Sequence, residues 1–453
     1  MQVGRTYRDV RSTGMYAVVG LALIAVYVSV LMFAMERTTF DVWGGVALAP
    51  LLLVVTLPSL RRQAVREGDG SVFRFLLLAL VVKLGGAFLR YYGSVFFYGG
   101  LRDANVYSKY GEQIAENFRH GVFITGLDSL SGTDFVRFFT GVVYTVTGPS
   151  KLAGGVVFSW LGFLGLFLFY RAFVIAVPEG RRRPYAYLLF FLPSLVFWPS
   201  SIGKDAWMMF TVGIATYGIA QLLTRWTLGG LATAAVGLWL ASLVRPHVAA
   251  LVASAFVVAI VTRKSRSEHR ELAPVLKAAA IVLVLLLAVA LTVKTSGSLK
   301  IGVNGGLGAT LTRIEDRTST GGSDFSPSIA DSPVRFPVAA VTVLFRPFIF
   351  EAHNTQARLA ALESTALMVL ILLRFRWVIA ALKSWRRQPY VVFCLTYVVL
   401  FIIAFSSFSN FGLLARERVQ LYPLLLVLIS IPSAVVNRKG RAPARDAIPV
   451  AAP

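Results

Sequence analysis

The chain has 453 residues, of which 56% are hydrophobic and 15% charged, with a formal net charge of +23 and a mean hydropathy of +0.69. A soluble domain carries roughly 25% charged residues and few apolar runs near the ~20 residues that cross a bilayer, so this composition excludes an ordinary soluble enzyme. The single cysteine, Cys394, lies in an apolar run and excludes both an intrachain disulfide framework and a thiolate metal cluster.

Read in chain order, apolar runs predict membrane spans at 14–35, 42–60, 72–90, 151–177, 185–199, 203–224, 227–244, 246–262, 275–294, 358–374, 389–409 and 413–436. The run at 15–35 is too long for a signal-peptide core and reads as a retained first span. Two shorter stretches, 134–148 and 336–350, suit half-helices or surface-lying segments. The expected fold class is thus all-α, a polytopic integral membrane protein of about 12 transmembrane helices with outer-face loops and juxtamembrane half-helices. The helical domain runs over 1–437, with outer loops at 91–133 and 295–357. The Pro- and Ala-rich tail 438–453 is predicted to be a disordered cytoplasmic segment.

Orientation follows from the basic clusters. With Arg5, Arg8 and Arg11 in the cytoplasm, Arg61, Arg62 and Arg66 also fall inside. So do Arg181–Arg183, the RKSR run at 263–266, Arg374, Arg376, Arg386, Arg387 and the RKGR of the tail. That is the positive-inside pattern, and it places both termini in the cytoplasm of a cell with a cytoplasmic (inner) membrane. It also accounts for most of the net charge without nucleic acid. Lys83 and Lys294, in or near apolar spans, are expected to snorkel.

The opposite face collects the chemistry. In "WPSSIGKD" Pro199 and Gly203 end one helix and Ser200 or Ser201 is available to cap the next, which leaves Lys204 and Asp205 in its first turn. A charge at that depth is usually paired or lines a wet cavity; the plainer alternative for Lys204 is snorkelling to the interface. Arg245, Arg313, Arg317, Arg335, Arg346, Arg358, Arg416 and Arg418 all lie where the charge rule thins out arginines. The planar guanidinium binds phosphate bidentately and keeps its charge when buried. Lys204, Arg245, His247, Arg346, Arg416 and Arg418 are therefore candidates for substrate phosphate. The alternative is pairing with headgroups or with Glu315, Asp316, Glu351 and Glu417, and for His247 a capping or packing role.

Two carboxylates are candidates for acid–base work. Asp103 opens "DANVYSKYGEQIAE", a prospective amphipathic helix with Tyr107, Tyr110 and Ile114 on one face, where it serves as a helix cap or as a general base. Glu351 lies beside His353 in "FEAHN". Asp205, His353 and Tyr107 are supporting candidates. There is no metal-ligand spacing of the HExxH kind and no Asp-x-Asp triplet, so no cofactor is expected, with a divalent metal left open. "GVNGGLGAT", 302–310, lacks the Gly-Lys-Ser/Thr ending of a phosphate loop and reads as flexible loop.

The segment "DANVYSKYGEQIAENFRHG" resembles the outer-loop motif of the polytopic GT-C glycosyltransferases. "PSLVFWPSSIGKDAWMMF" is similar to a later outer turn of those enzymes and of bacterial polysaccharide polymerases, and "LARERVQLYPLLLVL" to the arginine-containing final segments of the polymerases. The acidic loop here follows the third predicted span rather than the first. The resemblance implies a polyprenyl-phosphate- or diphosphate-linked sugar donor, a glycan acceptor, Asp103 as base and arginines on the leaving phosphate, in cell-envelope glycan synthesis. Membrane lipids and envelope-assembly proteins are the other expected partners. The competing readings are a transporter or flippase of lipid-linked saccharide or another amphiphilic anion, and a non-catalytic scaffold of an envelope assembly.

Overall fold

The structure is a computed structural model that describes residues 3–98, 102–263, 325–330, 332–353, 355–385 and 388–432. The expectations that fall on 275–294, on Arg313, Glu315, Asp316, Arg317, the 302–310 loop, Lys294, Arg386, Arg387 and the tail 438–453 lie outside the described residues.

The described secondary-structure elements are all helical. In chain order they are α1 (Val3–Arg37), α2 (Phe40–Glu67), α3 (Gly70–Tyr98), α4 (Arg102–Arg119), α5 (Thr133–Thr147), α6 (Lys151–Ala176), α7 (Arg182–Phe191) and α8 (Pro193–Phe197). Then follow α9 (Lys204–Thr224), α10 (Leu228–Val244), α11 (Pro246–Thr262), α12 (Phe336–Phe345), α13 (Thr355–Leu373), α14 (Phe375–Lys383), α15 (Pro389–Phe405), α16 (Phe411–Glu417) and α17 (Tyr422–Leu428). Short 3₁₀ turns stand at Ile349–Glu351 and Arg418–Gln420.

Among the described residues, five stretches are long and apolar enough to cross a membrane: Gly20–Arg37, α2, Gly70–Ser94, α6 and α9. A sixth is added if α13 and α14, bent by 65° at Arg374, count as one span. These correspond to the runs predicted at 14–35, 42–60, 72–90, 151–177, 203–224 and 358–374. Helices α10, α11 and α15 have 17 residues each, about 26 Å, slightly less than the ~30 Å hydrocarbon core. Lipid is the fitting solvent for α1 and α2, where Leu21, Ile24, Phe33, Leu51 and Val54 are exposed together.

Two predicted spans are not single helices. The run 185–199 breaks between α7 and α8, because Pro193 offers no N–H and drives Leu192 to an extended backbone (φ −62°, ψ 124°). The run 413–436 divides into α16, a 3₁₀ turn and α17, with Pro423 at the start of α17. The short stretches become α5, with 15 residues, and α12, with 10.

The chain forms two compact units. The first contains residues 1–160 and 200–203. Within it α1 packs on α2 and α2 on α3, and α4 crosses α5 where Gly111 and Gly141 admit Thr140 and Ile114. Lys83 does not snorkel: it is 1% exposed within α3. Its carbonyl accepts from Ser159 Oγ at 2.6 Å, and Ser159 and Ser200 share a hydrogen bond of 3.0 Å. The Ser200 hydroxyl is thus engaged within this unit, and Gly203, not a serine, precedes α9.

The second unit contains residues 161–199 and 204–453, with α9 at its centre against α10, α11 and α15. Close approach by small residues sets that packing. A Cβ on Gly213 of α9 would stand 2.6 Å from the Gly165 carbonyl oxygen, and one on Gly237 of α10 would stand 2.3 Å from the Ala215 nitrogen. With the helix backbones this near, α9 is held on two sides, which fixes where its first turn points. Towards the other end of α9, Arg263 donates to the Leu222 carbonyl; Arg181 and Arg374 both lie over the Trp377 ring. Leu222 is 18 residues along α9 from Lys204, about 27 Å. The unit therefore carries separate polar groups towards the two ends of α9.

Candidate functional site

The site in the second unit is built at three places where helices are forced to stop. Asp205 is in the first turn of α9 and is 4% exposed. Arg245 is the corner residue between α10 and α11, where Pro246 starts the new helix and leaves Arg245 at φ −136°, ψ 82°. Arg416 and Glu417 close α16, which Asn410 starts by accepting from the Gly412 and Leu413 amides at 2.9 and 3.1 Å.

The three corners meet. Arg245 Nη2 donates to Asp205 Oδ1 at 3.1 Å and to Glu417 Oε1 at 2.6 Å, and Arg416 Nε donates to Asp205 Oδ2. Gln420 Nε2 donates to Glu417 Oε2 at 2.8 Å. The result is a linear alternation, Arg416–Asp205–Arg245–Glu417–Gln420, with Arg245 and Glu417 both 8% exposed. Two guanidinium charges face two carboxylates, the arrangement a low-dielectric site requires. With both oxygens engaged, Asp205 orients arginines and is not placed to abstract a proton.

Lys204 and His247 form the accessible rim. Lys204 is half-buried and His247 exposed; the His247 ring, two residues after Arg245, packs 6.3 Å from Phe405. The structure thus brings together five of the sequence-predicted residues, Lys204, Asp205, Arg245, His247 and Arg416. The four ionised groups of the network balance in formal charge.

Arg418, two residues on, points elsewhere. It is 1% exposed, and its Nη1 donates to the Leu344 carbonyl at 2.8 Å and to Ser364 Oγ at 3.2 Å. It ties the end of α12 to α13, with the Glu363 carboxylate, which accepts from the Ser194 amide at 2.7 Å, in the same neighbourhood.

Arg346 is also occupied. Its Nε lies 2.9 and 3.1 Å from the two Glu351 oxygens, its Nη2 lies 2.5 Å from Oε1, and its Nη1 reaches the Ser326 carbonyl at 3.3 Å. The guanidinium lies 4.4 Å over the Phe325 ring, which stacks on Phe411 at 4.3 Å. Burial alone would raise the Glu351 carboxyl, but Arg346 and the Phe348 amide outweigh it and hold it below its ordinary value. Such a carboxylate is a poor general base. His353 is exposed nearby in the chain.

The Arg346–Glu351 pair makes a pH prediction. A carboxyl whose folded pKa is depressed adds stability that is present above its unfolded pKa, near 4.3, and is lost as pH falls through the folded value. Glu351→Gln is expected to lower thermal stability by ~0.5–1 kcal/mol at pH 7. Thermal unfolding from pH 7 to pH 3 should show that gap closing only at the acid end. A gap independent of pH would mean that the carboxylate charge contributes nothing.

Asp103 and Tyr107 belong to the first unit. Asp103 is exposed in the first turn of α4, while Tyr107 is 5% exposed on the face that packs α5. Ile114 shares that buried face, but Tyr110 is 38% exposed beneath the Arg137 guanidinium, 4.0 Å from its ring centre.

Sequence reasoning missed Gln420, Ser364 and Tyr397 as contributors. Gln420 had a signal, being three residues from Glu417. Tyr397 had none, as one hydroxyl within an apolar run. Among the described residues no three His, Cys, Asp or Glu side chains gather as metal ligands. Comparison with known proteins returns no matching protein-family model, no matching curated protein and no matching solved structure.

Proposed function

We propose that this chain is a multi-pass protein of the cytoplasmic membrane that transfers a glycosyl unit from a polyprenyl-phosphate- or diphosphate-linked donor to a glycan acceptor at the extracytoplasmic face. The observation that carries the reading is the ion network in which Asp205, Arg245, Arg416 and Glu417 converge from three helix corners, with Lys204 and His247 each beside a member in the chain. Departure of a phosphate needs positive charge held in place as negative charge develops, and arginines already oriented by Asp205 and Glu417 incur little reorganisation. In this reading the GT-C-like resemblance supplies the reaction class and implies Asp103 as the base; Asp103 is exposed in the first turn of α4, in the first unit. The twelve-span topology with both termini inside belongs to the same proposal. It is supported by Arg263, which donates to the Leu222 carbonyl away from the Lys204 end of α9.

A second reading, a transporter or flippase of a lipid-linked anion, is favoured by Lys83, a lysine wholly buried within the apolar helix α3. The test is deletion of the gene followed by mass spectrometry of polyprenyl-linked saccharides in each leaflet. Complementation would use the wild type, Lys204→Ala, Arg416→Ala and Asp103→Ala, with membrane levels matched. Outer-leaflet accumulation cleared by the wild type and not by the variants supports transfer. Accumulation confined to the inner leaflet supports the flippase. An unchanged pool across growth conditions sinks both and leaves the scaffold.

A further inference from the structure

Three buried polar atoms of the second unit meet no hydrogen-bond partner among the described residues: Arg245 Nη1, the Tyr397 hydroxyl and Gln420 Oε1. Arg245 is 8%, Tyr397 0% and Gln420 1% exposed. Arg245 and Gln420 bond to the two oxygens of Glu417, and Tyr397 lies on α15, which packs against α11, the helix that follows Arg245.

A buried polar atom without a partner is destabilising, and natural proteins rarely keep several in one place without a reason. The types of these atoms say what would satisfy them. A guanidinium N–H only donates, an amide oxygen only accepts, and a phenol does either. A phosphate oxygen, an acceptor only, would answer Arg245 but would be opposed by Gln420 Oε1 and by the Glu417 carboxylate. A hydroxyl group accepts from Arg245 and donates to Gln420 at once.

We propose that Arg245 Nη1, Tyr397 and Gln420 form a subsite for a hydroxyl-rich group of the saccharide class, while Lys204 and Arg416 on the more accessible side take the phosphate of the same ligand. The proposal rests on the reading of this cluster as a lipid-linked saccharide site. It assigns the sugar end of the donor to the deeper wall and makes Tyr397 and Gln420 specificity residues.

The test uses the full chain in nanodiscs and two probes: bare polyprenyl diphosphate, and the lipid-linked saccharide fraction extracted from membranes of the deletion strain. Tyr397→Phe and Gln420→Leu are each expected to weaken the saccharide-bearing probe about tenfold and to leave the bare diphosphate unchanged. Arg416→Ala is expected to weaken both. Tyr397→Phe removes a hydroxyl that meets no protein partner, so its unliganded thermal stability should equal or exceed wild type, whereas a tyrosine with a structural role would lose stability. If Tyr397→Phe and Gln420→Leu leave both probes unaffected while Arg416→Ala weakens both, water satisfies these atoms; the subsite is then overturned and the phosphate site stands. Equal binding of the two probes by the wild type also overturns the subsite. If Arg416→Ala changes neither, the phosphate reading fails and takes the subsite with it.

Discussion

Replacing Asp205 by alanine is expected to destabilise the second unit by ~3–5 kcal/mol, the usual result of removing one partner from a buried ion pair. Asp205 is the only one of the four network charges that bridges both arginines, with Oδ1 on Arg245 and Oδ2 on Arg416. Arg245 would retain Glu417 at 2.6 Å, but Arg416 would lose the carboxylate contact that the network gives it. Asp205→Asn keeps the shape and one acceptor oxygen, so it should fall between alanine and wild type.

The decisive comparison is the double variant. If stranded charge is the cause, Arg416→Met in the Asp205→Ala background should recover part of the loss, because it removes the cation left behind. The coupling measured by thermal unfolding across the four proteins should exceed ~1 kcal/mol, as is typical of residues in one network. Additive effects would mean that Arg416 is already solvated and that the pair is a surface contact. The side chain of Arg416 is 19% exposed, against 6% for Asp205, so the coupling measures how far water replaces the lost carboxylate.

Much of this arrangement was legible in the sequence, and the part that was not has a physical cause. Long apolar runs identified α2, α6 and α9, because backbone satisfaction in lipid leaves a helix as the only option for such a run. The polar break at 197–207 marked Lys204 and Asp205, and the pair Arg245–Pro246 marked a helix corner. Hydropathy alone could not show that 185–199 and 413–436 are broken. It averages over Pro193 and over the Arg416–Glu417–Arg418 run, where the backbone turns to bring charge inward. Nor could it say which arginines serve a site. Arg346 and Arg418 resemble Arg245 as letters, and only the partners within reach distinguish them.

Arg416 and Arg418 test that distinction directly, since two residues separate them and the structure gives them opposite surroundings. Arg418→Met is expected to cost ~3 kcal/mol or more in stability. It would leave the Leu344 carbonyl without its guanidinium donor and remove the cation whose field reaches the buried Glu363 carboxylate. Arg416→Met removes a half-covered side chain, and Asp205, to which it donates, keeps Arg245, so its stability cost should be smaller, ~1–2 kcal/mol. Function should rank the other way. At matched membrane levels, and below the unfolding temperature of the weaker variant, Arg418→Met should retain most of the clearance of lipid-linked saccharide and Arg416→Met should lose most of it. A stability readout alone would not separate the two roles; the crossing of the two orders would. Arg418→Met abolishing clearance at full stability would place Arg418 in the site after all. The tie between α12 and α13 would then be a way of holding a ligand-binding arginine in position rather than a way of holding the fold.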